Sequence, residues 1–286
     1  MRRKLVTTLI LDFDNTLFDW LRIWYGTFSV LRAEIVARMG DEMAADNAIR
    51  RVHQSNRTSE YRYLFEALFE GSDRGTRPPT RTVARRATRL DGLYPEVISS
   101  LQEIRKHGTR IVVCTESMER YSTERIFEFG LDGVIDVLFC NRDHPDRLNL
   151  PASETVRVHL SKTEVRHISE GRSKPDPEIL REILKFLGAP AAQTAYVGDS
   201  IARDMRMAQE AGVTGLHARY GDTVGRDEFE LLKRVSHWTD DDVRRENLGS
   251  HAFFEDGATL DTGFRDIFRY LTFSAFEGAA IRATAK

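Results

Sequence analysis

The sequence is expected to fold as an α/β protein, a parallel sheet covered by helices on both faces, with an all-helical domain inserted after the first strand. Three observations predict this. Beyond Tyr94, short apolar runs alternate with amphipathic stretches of helical period, and strands that alternate with helices build a parallel sheet. Between about Asp19 and Leu93 the period is helical, with no convincing strand. Finally, 286 residues can bury a large core and still carry a smaller inserted domain. The expected division is a core of residues 1–18 and 94–286 and a helical domain of residues 19–93.

The first element is the apolar run Leu5 to Leu11, short enough for one buried strand. Trp24, Phe28, Leu31, Ile35 and Met39 share a helix face that Gly40 ends, and Tyr61, Leu64, Phe65, Leu68 and Phe69 mark a second helix ending near Gly71. A Gly/Pro/Arg loop and an Arg-rich segment, Arg81 to Arg89, complete the insertion. Val97, Ile98, Leu101 and Ile104 predict a helix stopped by Gly108, followed by a strand at Ile111 to Cys114, a helix ending near Gly130 and a candidate strand at Val134 to Phe139. Residues 141–172 break the rhythm. The alternation of Val156, Val158 and Leu160, with Val165 and Ile168 on a return strand, predicts a small β-hairpin insertion there. A helix from Pro177 to Leu187, a strand at Ala195 to Gly198, a helix from Ser200 to Ala211 and a strand at Val213 to Ala218 complete the core. Residues 219–286 read as a mainly helical C-terminal extension. In it Asp240, Asp241 and Asp242 suit a helix start, and Phe264, Ile267, Phe268 and Leu271 suggest a last amphipathic helix.

With 41% hydrophobic and 30% charged residues the chain reads as an ordinary soluble globular protein. A net charge of −2 supplies no global field, so neither nucleic acid nor membrane is expected as a partner. No run approaches the roughly 18 apolar residues of a spanning helix. The basic start before Leu5 resembles a secretory signal, but Asp12 and Asp14 cut the apolar stretch short and no small-residue cleavage site follows, so a cytoplasmic first strand is expected. Cys114 and Cys140 each follow an apolar run and read as reduced core residues, and the histidines show no metal-ligand spacing. The expected assembly is a monomer or homodimer.

In an open parallel sheet, ligands bind beyond the carboxyl ends of the strands. Polar residues stand there in Asp12-Phe13-Asp14-Asn15-Thr16, at Thr115 and at Asp199, with Lys174 in the loop before a helix. Asp12 and Asp14 are two apart, so on an extended backbone they would face one side. Two close carboxylates need a cation or protons to compensate them, and a hard divalent ion such as Mg2+ takes oxygen ligands. Singly, each residue also fits a structural role: Asp199-Ser200 as a turn with an N-cap, Thr115 as a cap, Asp176-Pro177 as a helix entry.

Together, the Asp12–Thr16 motif, Thr115, Lys174-Pro175, and Gly198-Asp199-Ser200 with Asp204 resemble the four motifs of the haloacid dehalogenase-like (HAD) superfamily of hydrolases, over about residues 5 to 218. The resemblance implies a three-layer Rossmann-like core, and the helical bulk at 19–93 resembles the family's type-1 cap. An aspartate two residues after the nucleophile, as Asp14 is, resembles the phosphatases and phosphotransferases of the family and argues against a dehalogenase. The implied roles are Asp12 as nucleophile forming an aspartyl-phosphate, Asp14 as general acid and base, and Thr115 and Lys174 as ligands of the transferring group, with Thr16 beside it. Mg2+ would be held by Asp12, the Asp14 carbonyl and Asp199, with Asp204 and Ser200 supporting it. Glu116 departs from the small or amide residue of many relatives. It either places an acid beside the substrate pocket or favours a helix N-terminus.

Substrate choice is expected to reside in the helical insertion. Its candidates are Arg57, Thr58 and Arg62, with Trp20, Trp24 and Tyr25 near its entrance, although the aromatics also fit internal packing and Arg81, Arg85, Arg86 and Arg89 fit a solvated face. The expected function is a Mg2+-dependent phosphatase of a small phosphorylated metabolite. The alternatives are a phosphomutase using the same intermediate, or a binding protein that keeps the fold without catalysis.

Overall fold

The computed structural model describes residues 3–69, 92–144, 157–249 and 258–277. The chain divides into two compact units, one of Met1–Phe18, Leu93–Asp222 and Gly249–Lys286, the other of Asp19–Gly92 and Thr223–Leu248.

The first unit is built on strands β1 (Lys4–Val6), β2 (Thr8–Leu11), β3 (Arg110–Met118), β4 (Val137–Asn141), β5 (Glu164–His167), β6 (Thr194–Gly198), β7 (Thr214–His217), β8 (Ala258–Thr259) and β9 (Leu271–Phe273). Seven of them form one parallel sheet in the order β5-β4-β3-β2-β6-β7-β8. β2 is central and wholly buried, which is why its sequence is continuously apolar instead of alternating. Ile10 lies level with Val112 on one side and Tyr196 on the other. The crossovers include α4 (Val97–Lys106), α5 (Glu119–Glu128) and α6 (Glu178–Leu187). α6 buries Ile179, Leu180, Ile183, Leu184 and Leu187 in the same cluster as Ile10, Val112 and Tyr196. The Asp176 carboxylate caps its start by accepting the Glu178 N–H at 2.9 Å, and Gly188, at φ 67°, ends it. Because the strands are parallel, Asp12, the end of β3 and Asp199 all emerge at one edge.

Four expectations need correction. The run Leu5 to Leu11 is two strands, not one: Thr7 turns its N–H to the Gln193 carbonyl at 2.9 Å, and β1 leaves the main sheet to pair with β9. The predicted last helix resolves into a 3-10 turn at Phe264–Asp266, a single helical turn α10 (Ile267–Tyr270) and β9. Leu271 is claimed by β-pairing, which the spacing of its neighbours could not show. The expected hairpin at 141–172 is absent among the described residues. Glu164–His167 instead extends the main sheet parallel to β4, with Val137 opposite Glu164, and hairpin strands are antiparallel. Val158 and Leu160 lie outside any strand, and Val156 falls outside the described residues. The Asp132 carboxylate sets the entry to β5 by accepting the N–H groups of Ser161, Lys162 and Thr163 at 3.0, 3.1 and 2.9 Å. Lastly, the C-terminal extension divides, and its segment Thr223–Leu248 belongs to the helical unit. The expected helix at Ser200–Ala211 forms as a π turn (Ile201–Met205) followed by α7 (Arg206–Glu210).

The helical unit contains α1 (Trp20–Met39), α2 (Glu42–Asn56), α3 (Leu64–Leu68), α8 (Asp227–Val235) and most of α9 (Asp240–Gly249). Its core joins Leu21, Trp24, Phe28 and Ile35 of α1 to Ala45 and Ile49 of α2 and to Phe229, Leu232 and Val235 of α8. α1 starts where the Asp19 carboxylate accepts the Arg22 N–H at 3.0 Å, and α2 where Asp41 accepts that of Ala44 at 2.9 Å. Trp24 is buried and stacks on Trp20 and Phe28, so it packs within this unit. Arg81, Arg85, Arg86 and Arg89 lie outside the described residues. No helix among the described residues is long and apolar enough to cross a membrane.

His53 on α2 is buried, with Nδ1 2.6 Å from the Val235 carbonyl of α8. Burial pushes its pKa down to about 4, against the opposing effect of that hydrogen bond. The folded state therefore binds the proton less readily than the unfolded chain. The stabilisation is full above about pH 6.5 and is lost as pH falls toward 4, by about 3 kcal/mol in all. Denaturant unfolding of the wild type at pH 7 and pH 4.5 is expected to show this loss. His53→Asn, whose amide still donates to Val235 but does not titrate, is expected to lose less.

Candidate active site

The chain leaves β2 with the Asp12 N–H still donating to the Val197 carbonyl at 2.8 Å. It then curls, with the Leu17 N–H reaching back to Phe13 at 3.0 Å and Asn15 at φ 57°. Phe13 and Phe18 anchor the turn edge to face, their rings 5.0 Å apart. Because the backbone does not stay extended, Asp12 and Asp14 acquire different partners. Asp12 is buried; its Oδ1 meets Lys174 Nζ at 2.5 Å and its Oδ2 accepts from Thr16 Oγ at 3.4 Å. Asp14 instead meets the Arg125 guanidinium at 3.2 Å, which also donates to Ser117 Oγ at 3.1 Å.

Lys174, from the loop before α6, lies between two carboxylates. Its ammonium is 2.5 Å from Asp12 and 2.8 Å from Asp204 on the π turn. Asp204 has both oxygens engaged: Oδ1 also accepts the Tyr196 hydroxyl at 2.8 Å and Oδ2 the Ser200 N–H at 3.1 Å. Such an approach needs glycine at 198, where a Cβ would fall 2.4 Å from Asp204 Cγ. Asp12, Asp199 and Asp204 bring carboxylate oxygens within 4.8 Å of one another. Burial works against the Lys174 ammonium, but Asp12 and Asp204 outweigh it and hold its pKa well above the usual lysine range. Burial pushes the Asp12 carboxyl up; Lys174 opposes this and the charge of Asp204 adds to it. Burial would raise Asp204 as well, yet Lys174 and its hydrogen bonds keep it below the ordinary value. Lys174 is shared by two of these three carboxylates, and carboxylates held this close favour a bound cation.

Two further segments brace these groups. The Asp199 carbonyl is 2.9 Å from His217 Nε2. The turn after β7 presses on the Asp12–Thr16 loop, with the Tyr220 hydroxyl donating to the Thr16 carbonyl at 2.6 Å. A Cβ on Gly221 would stand 1.8 Å from the Asn15 carbonyl oxygen, so only glycine fits. Thr115 is buried, and its Oγ accepts the Ser117 N–H at 3.1 Å.

Asp12, Thr16, Thr115, Lys174, Asp199, Ser200 and Asp204 thus all lie at the carboxyl edge of the sheet, with Asp14 beside them on Arg125. Arg57 belongs to the helical unit, where it ends α2 at φ 51°. Arg125, Tyr196, Arg203, His217, Tyr220 and Gly221 were not anticipated, and only the Gly198-Asp199-Ser200 turn gave a local cue. Cys114 and Cys140 are free and buried, and burial pushes the Cys114 thiol up to about 12, in keeping with a core role.

Residues 6–212 match the haloacid dehalogenase-like hydrolase family. A glyceraldehyde 3-phosphate phosphatase of Methanopyrus kandleri is 22% identical over 76% of this chain and 85% of its own length. A phosphoglycolate phosphatase of Pseudomonas syringae pv. syringae is 27% identical over 47% of this chain, and the match spans only 39% of that protein. The crystal structure of a HAD phosphatase from Thermococcus onnurineus shares the fold at a TM-score of 0.51 and 18% identity, covering 80% of this chain and 97% of that one.

Proposed function

The chain belongs to the haloacid dehalogenase-like hydrolases, and on that premise we propose that it is a Mg2+-dependent phosphatase of small phosphorylated metabolites, working through an aspartyl-phosphate on Asp12. The observation that carries this reading is the buried Lys174 ammonium 2.5 Å from Asp12 within a cluster of three carboxylates. An anionic nucleophile can accept an anionic phosphoryl group only where cations offset both.

The donor set is oxygen alone, which fits a hard divalent ion. Asp12, Asp199 and the Asp14 carbonyl would hold it. Asp204, its oxygens taken by Lys174, Tyr196 and Ser200, orients the surroundings. When bound, Mg2+ would neutralise charge on the phosphoryl oxygens. A carboxylate oxygen of Asp12 attacks phosphorus, the bond to the ester oxygen breaks with its electron pair, and Asp14, which enters this step protonated and not as the ion pair with Arg125, protonates the departing oxygen. Water then attacks the phosphorus of the aspartyl-phosphate, Asp14 takes its proton, and inorganic phosphate leaves with the Asp12 carboxylate restored. Lys174 and the Thr115 hydroxyl bind the oxygens of the group in transit. The helical unit, inserted directly after the Asp12–Thr16 turn, is assigned the role of a cap that selects the leaving group, with Arg57 as its first candidate.

Phosphate release from p-nitrophenyl phosphate is the test, with glycolate 2-phosphate and glyceraldehyde 3-phosphate, suggested by the relatives, as the first metabolites. Release is expected with Mg2+, to vanish with EDTA and to return with excess Mg2+. Release indifferent to EDTA would remove the metal from the mechanism. No release from any phosphate ester would remove the phosphatase.

A further inference from the structure

Glu116 follows Thr115 near the end of β3, where the pairing of β3 with β4 shifts register between Cys114 and Met118. Oε1 accepts the backbone N–H of Lys174 at 3.0 Å, and Oε2 is paired with the Arg203 guanidinium. The Glu116 carbonyl in turn accepts from the Asn141 side-chain amide at 2.7 Å. Arg203 sits on the π turn next to Asp204, with its own N–H on Ser200 Oγ at 3.2 Å. One carboxylate therefore holds both supports of the Lys174–Asp204 ion pair: the main chain that carries Lys174 and the turn that carries Asp204.

We propose that Glu116 is a positioning residue: by bridging the Lys174 main chain to Arg203 it sets the Lys174 ammonium against Asp12. The proposal rests on the phosphatase reading above. A lysine ammonium on four flexible carbons is only as well placed as the backbone it starts from, and a carboxylate holding that backbone N–H makes a charge-assisted bond of the stronger kind. Pairing with Arg203 offsets the charge of Glu116, so the acid adds little repulsion toward an incoming phosphate.

The test is kinetics on p-nitrophenyl phosphate at varied Mg2+ for Glu116→Ala, Glu116→Gln, Arg203→Met and the Glu116→Ala/Arg203→Met double variant, with NMR amide exchange at Lys174 read on the same proteins. Glu116→Ala is expected to lower kcat on the order of 100-fold, as small misplacements of a catalytic group do, with the half-saturating Mg2+ concentration unchanged and the Lys174 amide exchanging faster. Glu116→Gln keeps an oxygen for the Lys174 N–H and is expected to recover most of that loss. The double variant is expected to be no slower than Glu116→Ala, because Arg203 acts through Glu116. An unchanged kcat in Glu116→Ala overturns the proposal, whether or not its melting temperature drops. So does an unchanged Lys174 amide. A wild type inert on every phosphate ester sinks the phosphatase reading instead, and the Lys174 amide then decides the bridge by itself.

Discussion

Replacing Asp12 with asparagine is expected to abolish turnover while leaving the protein at least as stable as the wild type in the absence of metal. The amide matches the carboxylate in shape and keeps an oxygen for Lys174, which the native Asp12 holds at 2.5 Å. It is neutral, however, and a poor nucleophile, so the covalent route is closed. Loss of a nucleophile of this kind costs on the order of 10^4-fold or more in kcat. Stability moves the other way because the cluster of Asp12, Asp199 and Asp204 then carries two charged carboxylates instead of three. Burial had already pushed the Asp12 carboxyl up, a sign that its charge is held there at a cost. Steady-state hydrolysis together with melting curves with and without Mg2+ checks both halves. The rise in melting temperature on adding Mg2+ is expected to shrink, since a ligand oxygen has lost its charge. Hydrolysis that survives the substitution rules out Asp12 as the nucleophile.

Lys174→Met is expected to lose activity and stability together. Methionine fills similar space but leaves Asp12 and Asp204 buried without the ammonium they share. Removing one partner from a buried ion pair costs about 3–5 kcal/mol. Catalysis also loses a charge aimed at the transferring group, worth about 10^2- to 10^3-fold in kcat. Mg2+ should restore part of the stability, because a ligand that binds only the folded state contributes about 2.7 kcal/mol at a hundredfold excess over its Kd. Urea unfolding with and without Mg2+ measures the recovery. The opposite signs expected for Asp12→Asn and Lys174→Met in metal-free protein are the sharpest check on the charge balance. If Lys174→Met proves as stable as wild type without metal, Lys174 is not what compensates these carboxylates.

The parts of the fold legible in the sequence are those whose signal is local and strong. α6 announces itself through Ile179, Leu180, Ile183, Leu184 and Leu187, all buried, followed by Gly188. α2 falls in the stretch expected to be helical, but its bounds and buried face are not legible there, because that face is made of Ala45, Ala48, Ile49 and His53, mostly small or polar residues of low apolar content. Glu164–His167 is expected from the sequence as the return of a hairpin because the alternation of Val156, Val158 and Leu160 suggests a preceding strand, and local apolar spacing carries no pairing direction. Whether such a strand pairs parallel or antiparallel depends on the route of the chain between partners. Segment 223–248 was assigned to the core by sequence order, whereas Phe229, Leu232 and Val235 bury themselves among the helices of α1 and α2.

By itself the sequence determined the sheet's central strands and which charged groups gather at its carboxyl edge, because both are written within a few residues: an apolar run that ends in Asp12, a glycine that precedes Asp199. Tertiary structure decided how the charges are distributed among them. Asp14 is paired with Arg125, 111 positions away, and Glu116 with the Lys174 main chain, 58 positions away. Asp204 became the second partner of Lys174, and Thr223–Leu248 part of the helical unit. The physical reason is the same in each case. Local propensity acts over a turn or a strand, while the compensation of a buried charge or an apolar face is made by whatever group folding brings alongside it.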